Sequence, residues 1–191
     1  KYLFEPNVRY DGTSRFIGKN RWAVFPSFSA GWVVSRENFF EGVRGTISQL
    51  KFRGSWGKLG NQNISSSYYP FSEPLSLGST SMNGVVYQTI QQLIMSNPDL
   101  KWEETTMSGL GVDLSLWRKL DLTFDIYNKK TDGILLRLNT SQLTGLEAPV
   151  QNAATVSNKG WEIGAQYNER WGDFKMNIGF NLSDVKNEIV D

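Results

Sequence analysis

The chain has 191 residues, no cysteine and no histidine, and its 20 Lys and Arg offset 19 Asp and Glu for a net charge of +1. Without thiol or imidazole there are no disulfides, no thiolate or imidazole metal ligands and no Ser-His-Asp catalysis. The near-neutral balance lacks the basic excess of a nucleic-acid binder, while 7 Trp, 7 Tyr, 11 Phe and 18 Gly sit in a chain only 39% hydrophobic.

Period-2 alternation, the mark of a strand with one apolar face, recurs along the whole chain. Over 2–10 the even positions are Tyr2, Phe4, Pro6, Val8 and Tyr10, with Leu3, Glu5, Asn7 and Arg9 between them. Over 22–34 they are Trp22, Val24, Pro26, Phe28, Ala30, Trp32 and Val34, interleaved with Ser27, Ser29 and Gly31. Ser35-Arg36-Glu37-Asn38, followed by Phe39-Phe40, caps a short helical turn in the connection 35–47. Leu50, Phe52 and Trp56 then alternate with Lys51, Arg53 and Ser55, and Leu110 to Leu116 with Gly111, Asp113 and Ser115. Leu120, Leu122, Phe124 and Ile126 alternate with Asp121, Thr123 and Asp125. Trp161, Ile163, Ala165 and Tyr167 follow the same rule, as do Phe174, Met176, Ile178, Phe180 and Leu182. The pattern predicts about seven strands, near 2–10, 22–34, 48–59, 102–117, 120–130, 158–170 and 174–187.

Short turns are expected at Arg118-Lys119 and Gly172-Asp173, and long polar loops at 61–100 and 132–157. Structureless loops of that length are out of place in a compact soluble domain. Short turns at one end and long loops at the other are usual for outer-membrane barrels. No apolar run approaches the length of a transmembrane helix, and Lys1-Tyr2-Leu3-Phe4-Glu5 does not read as a signal peptide. Barrel strands escape hydropathy analysis because their lipid-facing and lumen-facing residues alternate.

Trp22 and Trp32 share a face ten residues apart, as do Trp161 and Trp171. Ten residues at about 3.3 Å each, tilted by about 40°, cover roughly 25 Å, the height between the two aromatic girdles of a barrel. The spacing favours these four as membrane-girdle residues, although ordinary core aromatics would also fit a soluble sandwich. On the barrel reading Leu122, Phe124, Ile126, Met176, Ile178 and Phe180 face lipid.

Chemistry-bearing motifs are weak. Gly12-Thr-Ser-Arg-Phe-Ile-Gly18-Lys19 has one residue too many between its glycines and Asn20 where a phosphate loop needs Ser or Thr, so it reads as a solvated loop. Asp121 and Asp125 share a face but stand about 13 Å apart along one strand, too far for a glycosidase pair, and they read as lumenal polar groups. No run has calcium-loop spacing. Asn63-Ile-Ser65, Asn139-Thr-Ser141 and Asn181-Leu-Ser183 match glycosylation sequons, a pattern short enough to be common by chance. Tyr68, Tyr69, Phe71 and Tyr87 could stack on sugar rings or apolar peptides, or fold their loop back on itself; they are the candidate substrate-binding residues. No enzyme, metal or cofactor reading emerges.

Several ordered strings carry a resemblance: Arg9-Tyr-Asp-Gly-Thr-Ser-Arg-Phe16, Asn20-Arg-Trp-Ala-Val-Phe-Pro-Ser-Phe-Ser-Ala-Gly-Trp32, Leu50-Lys-Phe-Arg-Gly-Ser-Trp-Gly57 with Gly60-Asn61, Asn97-Pro-Asp-Leu-Lys-Trp-Glu103 and Asn158-Lys-Gly-Trp-Glu162. Together they are similar to the C-terminal part of the barrel in SusC/RagA-type TonB-dependent transporters of Bacteroidetes outer membranes. The resemblance implies an all-β segment of a 22-stranded transmembrane barrel. It also implies import of oligosaccharides or peptides, a SusD-like lipoprotein partner and energy supplied through TonB. The family's plug, TonB box and terminal aromatic residue have no counterpart in 1–191, which is therefore expected to be a partial barrel domain lacking C-terminal strands. Loop lengths set the direction: 2–10 runs outward, the strands then alternate, and the long loops face the exterior. A passive porin and a soluble carbohydrate-binding β-domain remain as alternative functions.

Overall fold

The computed structural model describes residues 1–64, 68–72, 74–139, 141, 143 and 145–190. Among the described residues nine strands follow one another: β1 (Tyr2–Gly12), β2 (Trp22–Val33), β3 (Ile47–Asn61), β4 (Leu75–Met82), β5 (Val85–Gln92), β6 (Glu103–Leu116), β7 (Leu120–Arg137), β8 (Val150–Trp171) and β9 (Phe174–Val190). Seven form one antiparallel sheet in the order β1-β2-β3-β6-β7-β8-β9, and β4 and β5 form a separate hairpin. All seven strands expected from alternation are present, and 3-10 turns at Val34–Arg36 and Asn38–Val43 occupy the connection where a helical turn was expected.

Two loop expectations are corrected. The stretch 61–100 is not structureless, because β4 and β5 pair across Asn83-Gly84, both at positive φ. That Asn-Gly pair is the preferred turn of a two-residue hairpin. The loop expected at 132–157 is shortened from both ends, because β7 and β8 keep pairing as far as Arg137 and Val150 across two register shifts. These extensions mix the contiguous Ile134-Leu135-Leu136 and Ala153-Ala154 with Thr131, Asp132, Gln151 and Asn152 and carry no strict period-2 alternation, so that signal gave no sign of them. Of the three sequons, Ser65 and Thr140 lie outside the described residues.

The register shows that the sheet is sheared. A single row of partners runs Phe4, Ala30, Gly54, Leu110, Ile126, Trp161 from β1 to β8. On β1 the strand continues only to Tyr2 below that row, whereas on β8 it continues to Trp171. The stagger is eight residues over five strand steps, about 26 Å along the strands against about 24 Å across them. That corresponds to a tilt near 45°, in the range by which strands lean when a sheet closes into a barrel.

Little is buried. Among the described residues the only buried hydrophobic side chains are Phe16, Phe25, Val34, Phe40, Ile64, Leu100 and Trp102. The apolar parity lies open instead: Phe4 is 72% exposed, Ile178 56% and Phe180 60%. An apolar face of this extent, left uncovered, requires a non-aqueous neighbour.

Candidate functional site

The two faces of the sheet differ in kind. On the apolar parity, aromatic pairs mark the strand ends: Trp22 stacks on Tyr10 at 5.1 Å, Trp32 on Tyr2 at 6.3 Å, and Trp171 on Phe174 at 6.0 Å. Trp161 stands opposite Ile126 and Asp184. Phe124, Ile126, Ile178 and Phe180 are exposed, and Leu122 and Met176 are half-buried, all on this parity. Beyond Ile126 and Trp161 the same parity turns polar, with Asn128 and Lys130 on β7 and Lys159 on β8. The apolar band therefore stops part-way along β7 and β8.

The polar parity carries a charged ladder. Arg53 Nε donates to Asp113 at 2.9 Å and its Nη2 reaches across β6 to Asp125 on β7 at 3.0 Å, while Lys51 lies 3.9 Å from Asp113. The strand between is crossed at Gly111, the register partner of both Arg53 and Asp125. A Cβ there would come 2.9 Å from the guanidinium carbon and closer still to the Asp125 carboxylate. Lower on the same face, Asp121 accepts from Ser115 at 2.5 Å and from Asn168 at 3.4 Å, and Asn177 donates to Asn168. Asp121 and Asp125 thus belong to separate hydrogen-bonded groups and do not form a facing carboxylate pair.

At the end bearing the longer loops, a small core sits against the polar parity. Phe16, Phe25, Ile64, Leu100 and Trp102 pack together, with Ala23, Leu135 and Val150 against them. Trp102 meets Phe16 and Phe25 edge-on at 5.7 and 5.4 Å. A Cβ on Gly60 would overlap the Phe25 ring, so the backbone can approach there only as glycine. This core corrects the reading of 12–19 as a solvated loop: Phe16 is fully buried, and Gly18–Arg21 is a single 3-10 turn. Phe25 was a visible anomaly, the single aromatic on a parity that otherwise carries Ala23, Ser27, Ser29, Gly31 and the terminal Val33.

The loop aromatics occupy two places. Tyr68 is 71% exposed with the Arg15 guanidinium 5.1 Å from its ring centroid, and Tyr69 meets Phe71 edge-on at 6.2 Å. Tyr87 lies apart, on β5 opposite Thr80. At the opposite end of the sheet, Glu37 accepts from Lys1 at 3.0 Å and from Trp32 Nε1 at 3.2 Å. Those two bonds hold its carboxyl below the usual carboxylate range. Lys119, in the turn 117–119, donates to Glu169 at 2.6 Å, which raises its ammonium above the ordinary value.

A family model described as TonB dependent receptor-like, beta-barrel, matches residues 1–190. The chain belongs to this family. It is 37% identical over 200 residues to TonB-dependent receptor P39 of Formosa agariphila and 32% identical over 195 residues to TonB-dependent receptor SusC of Bacteroides thetaiotaomicron. Both alignments cover 100% of this chain, and 18% and 19% of the relatives. Among solved structures, the RagAB peptide transporter superposes with a TM-score of 0.85 at 22% identity, over 98% of this chain and 20% of that one. The RagAB peptide importer in its closed-closed state gives 0.82 at 21% identity, over 99% and 21%. The likeness to RagAB shows the fold. The chain spans about a fifth of the length of these relatives. This segment of a TonB-dependent receptor barrel lies in the bacterial outer membrane, and the soluble-domain alternative falls.

Proposed function

We propose that the chain forms part of the barrel wall of a TonB-dependent importer that takes up oligosaccharides or peptides with a SusD-like surface lipoprotein. The observation that carries this reading is the family match along 1–190. RagAB, a structural neighbour, is named for peptide transport, and the oligosaccharide class is what the resemblance to SusC-type transporters implies. The segment moves solute without transforming it, as a partial barrel domain using no catalytic residue, metal or cofactor. TonB acts on the complete transporter rather than on this segment.

In this reading the apolar parity, including Leu122, Phe124, Ile126, Met176, Ile178 and Phe180, faces lipid. Trp22 and Trp161 belong to the outer girdle, Trp32 and Trp171 to the inner one. The shear of the sheet supports that grouping. With a tilt near 45°, five strand steps raise Trp161 by about 17 Å relative to Phe4, and six residues along β1 raise Tyr10 by about 14 Å. Tyr10, the stacking partner of Trp22, therefore comes level with Trp161. The polar parity lines the lumen, with Tyr68 beside Arg15, the Tyr69–Phe71 pair, and Tyr87 on the hairpin, offered to substrate at the mouth.

The test is uptake of labelled oligosaccharide and peptide pools by cells expressing the full-length transporter and its lipoprotein, with and without TonB. Uptake that needs both TonB and the transporter is expected. Uptake indifferent to TonB would transfer the protein to the passive porins.

A further inference from the structure

The β4–β5 hairpin at the mouth presents two unpaired edges. Among the described residues neither strand pairs with any strand but the other. Asn83-Gly84 closes a two-residue turn, so Met82 and Val85 form a hydrogen-bonded pair. The pairs Thr80–Tyr87, Gly78–Thr89 and Ser76–Gln91 repeat that arrangement at every second step. The backbone N–H and C=O groups of Val86, Gln88 and Ile90 therefore point away from β4 along one outer edge, and those of Leu77, Ser79 and Ser81 along the other. Downstream, the Met95 N–H donates to the Glu147 carbonyl at 3.1 Å and the Asn97 side-chain amide to the Val150 carbonyl at 2.9 Å, which fixes the base of the hairpin. A two-stranded sheet is marginal in water, and a further strand is what it lacks.

Exposed edges are ordinarily defended by charge, proline, a bulge or a very short strand, because an open edge pairs with any chain that presents a strand. None of these devices is present. Residues 74–98 contain no Asp, Glu, Lys or Arg. Both strands are 8 residues long and free of proline, and their register runs from Leu75–Gln92 to Met82–Val85 without a shift. Val86 and Ile90, whose backbone faces the open edge, are 70% and 69% exposed, and Leu77, opposite Ile90, is 79% exposed. Of the two edges, that of β5 is the better template. Val85, Val86, Tyr87, Thr89 and Ile90 are β-branched or aromatic, whereas β4 is interrupted by Gly78.

We propose that the outer edge of β5 receives an extended, uncharged peptide as an added strand. Main-chain bonds to Val86, Gln88 and Ile90 hold it, and apolar side chains at every second position of the peptide lie beside Val86 and Ile90. The edge offers no partner to a charged side chain, and an oligosaccharide has no alternating N–H and C=O groups with which to pair. The inference rests on the importer reading and selects peptides as the class received at this hairpin.

The experiment uses the full-length transporter in nanodiscs and a fluorescently labelled peptide Thr-Val-Thr-Val-Thr-Val capped at both ends. Saturable binding, read by anisotropy, is expected. At about fivefold for each bond lost, N-methylation of two alternate amides should weaken binding about 25-fold in one phase and leave it unchanged in the other. Gln88→Pro removes one outward N–H and spares the ladder to β4, so it should weaken binding about fivefold. Ser79→Pro, on the opposite edge, should change nothing. Hydrogen exchange should show the amides of Val86, Gln88 and Ile90 open without peptide and protected with it. No binding, or equal loss in both methylation phases, would overturn the proposal, and both are read on the wild-type protein. Protection of those amides before peptide is added, with or without the lipoprotein, would also overturn it, the edge being covered by another loop, the lipoprotein or a second copy. TonB-dependent uptake is measured separately. Peptide import without a phase effect would remove the edge site and leave the importer reading standing, whereas phased binding without TonB-dependent uptake would do the reverse.

Discussion

The mouth core offers the sharpest test of how the loops are held. Trp102 is 7% exposed and wedged edge-on between Phe16 and Phe25. Removing a buried tryptophan to alanine costs about 3–5 kcal/mol in a packed core. Its indole Nε1 has no hydrogen-bond partner among the described residues, however, and deleting a buried unpaired donor returns about 1–3 kcal/mol. The net loss for Trp102→Ala is therefore about 2 kcal/mol, whereas Trp102→Phe keeps a ring, drops the orphan donor and should be close to neutral. A loss of about 2 kcal/mol raises the population of the opened loop about 30-fold. Hydrogen exchange on the full-length barrel in detergent should show amides of 13–21 and 94–102 exchanging faster by that factor in Trp102→Ala. Those of β6–β7 in the apolar band should be unchanged. Unaltered protection at 13–21, or acceleration spread evenly over the sheet, would refute the idea that these five side chains clamp the loops as a local unit.

Three further outcomes are expected. Gly111→Ala places a methyl group against the Arg53 guanidinium and the Asp125 carboxylate, so the ladder should part at a cost of about 1–3 kcal/mol; Gly179→Ala, where nothing lies within 4 Å, is the control, and urea unfolding of the two compares them. Phe124→Arg and Ile178→Arg each place a charge on the lipid parity at about 2–4 kcal/mol, and surface expression of either at the wild-type level would count against the assignment of faces. The lowered Glu37 carboxyl stabilises the connection 34–46 fully above its ordinary value of 4.5, and that contribution fades as pH falls through the lowered value. Pepsin cleavage of 34–46 should rise between pH 5.5 and 3 in the wild type, while Glu37→Gln should be equally susceptible throughout.

Parity made most of the sheet legible, because an apolar face that must meet lipid leaves a side chain of one kind at every second position. It failed where neither face needs to be apolar. The outer parts of β7 and β8 carry Asn128, Lys130, Ser157 and Lys159 on the parity that is apolar further down, and water on both sides removes the signal. The β4–β5 hairpin was hidden for a related reason. Its Ser, Thr, Gln and Gly read as loop composition, although Asn83-Gly84 between Met82 and Val85 was the turn cue that could have exposed it. At the site, the ladder residues were visible as polar positions, but their partnership was not. That Arg53 reaches Asp125 depends on three strands aligning so that Gly111 falls between them.

The contrast between the sheet and its mouth has one physical origin. A single-layer wall has no second layer to bury against, so its apolar surface is stabilised by lipid and its strands by the ladder of backbone bonds. Loops that leave the membrane lose that support and meet water, where an isolated hairpin is marginal. Connections as long as 62–102 can hold a fixed position only by making a core of their own. Phe16, Ile64, Leu100 and Trp102, all outside the strands, converge for that purpose on Phe25, the aromatic that the wall presents on its polar parity. Gly60 keeps the opposing strand clear of that ring. The aromatic that breaks the alternation rule on β2 therefore stands at the place where the wall carries the loops. An apolar side chain on the wrong parity near a strand end, with a glycine opposite, is the pattern by which such an anchor can be sought in other barrel segments.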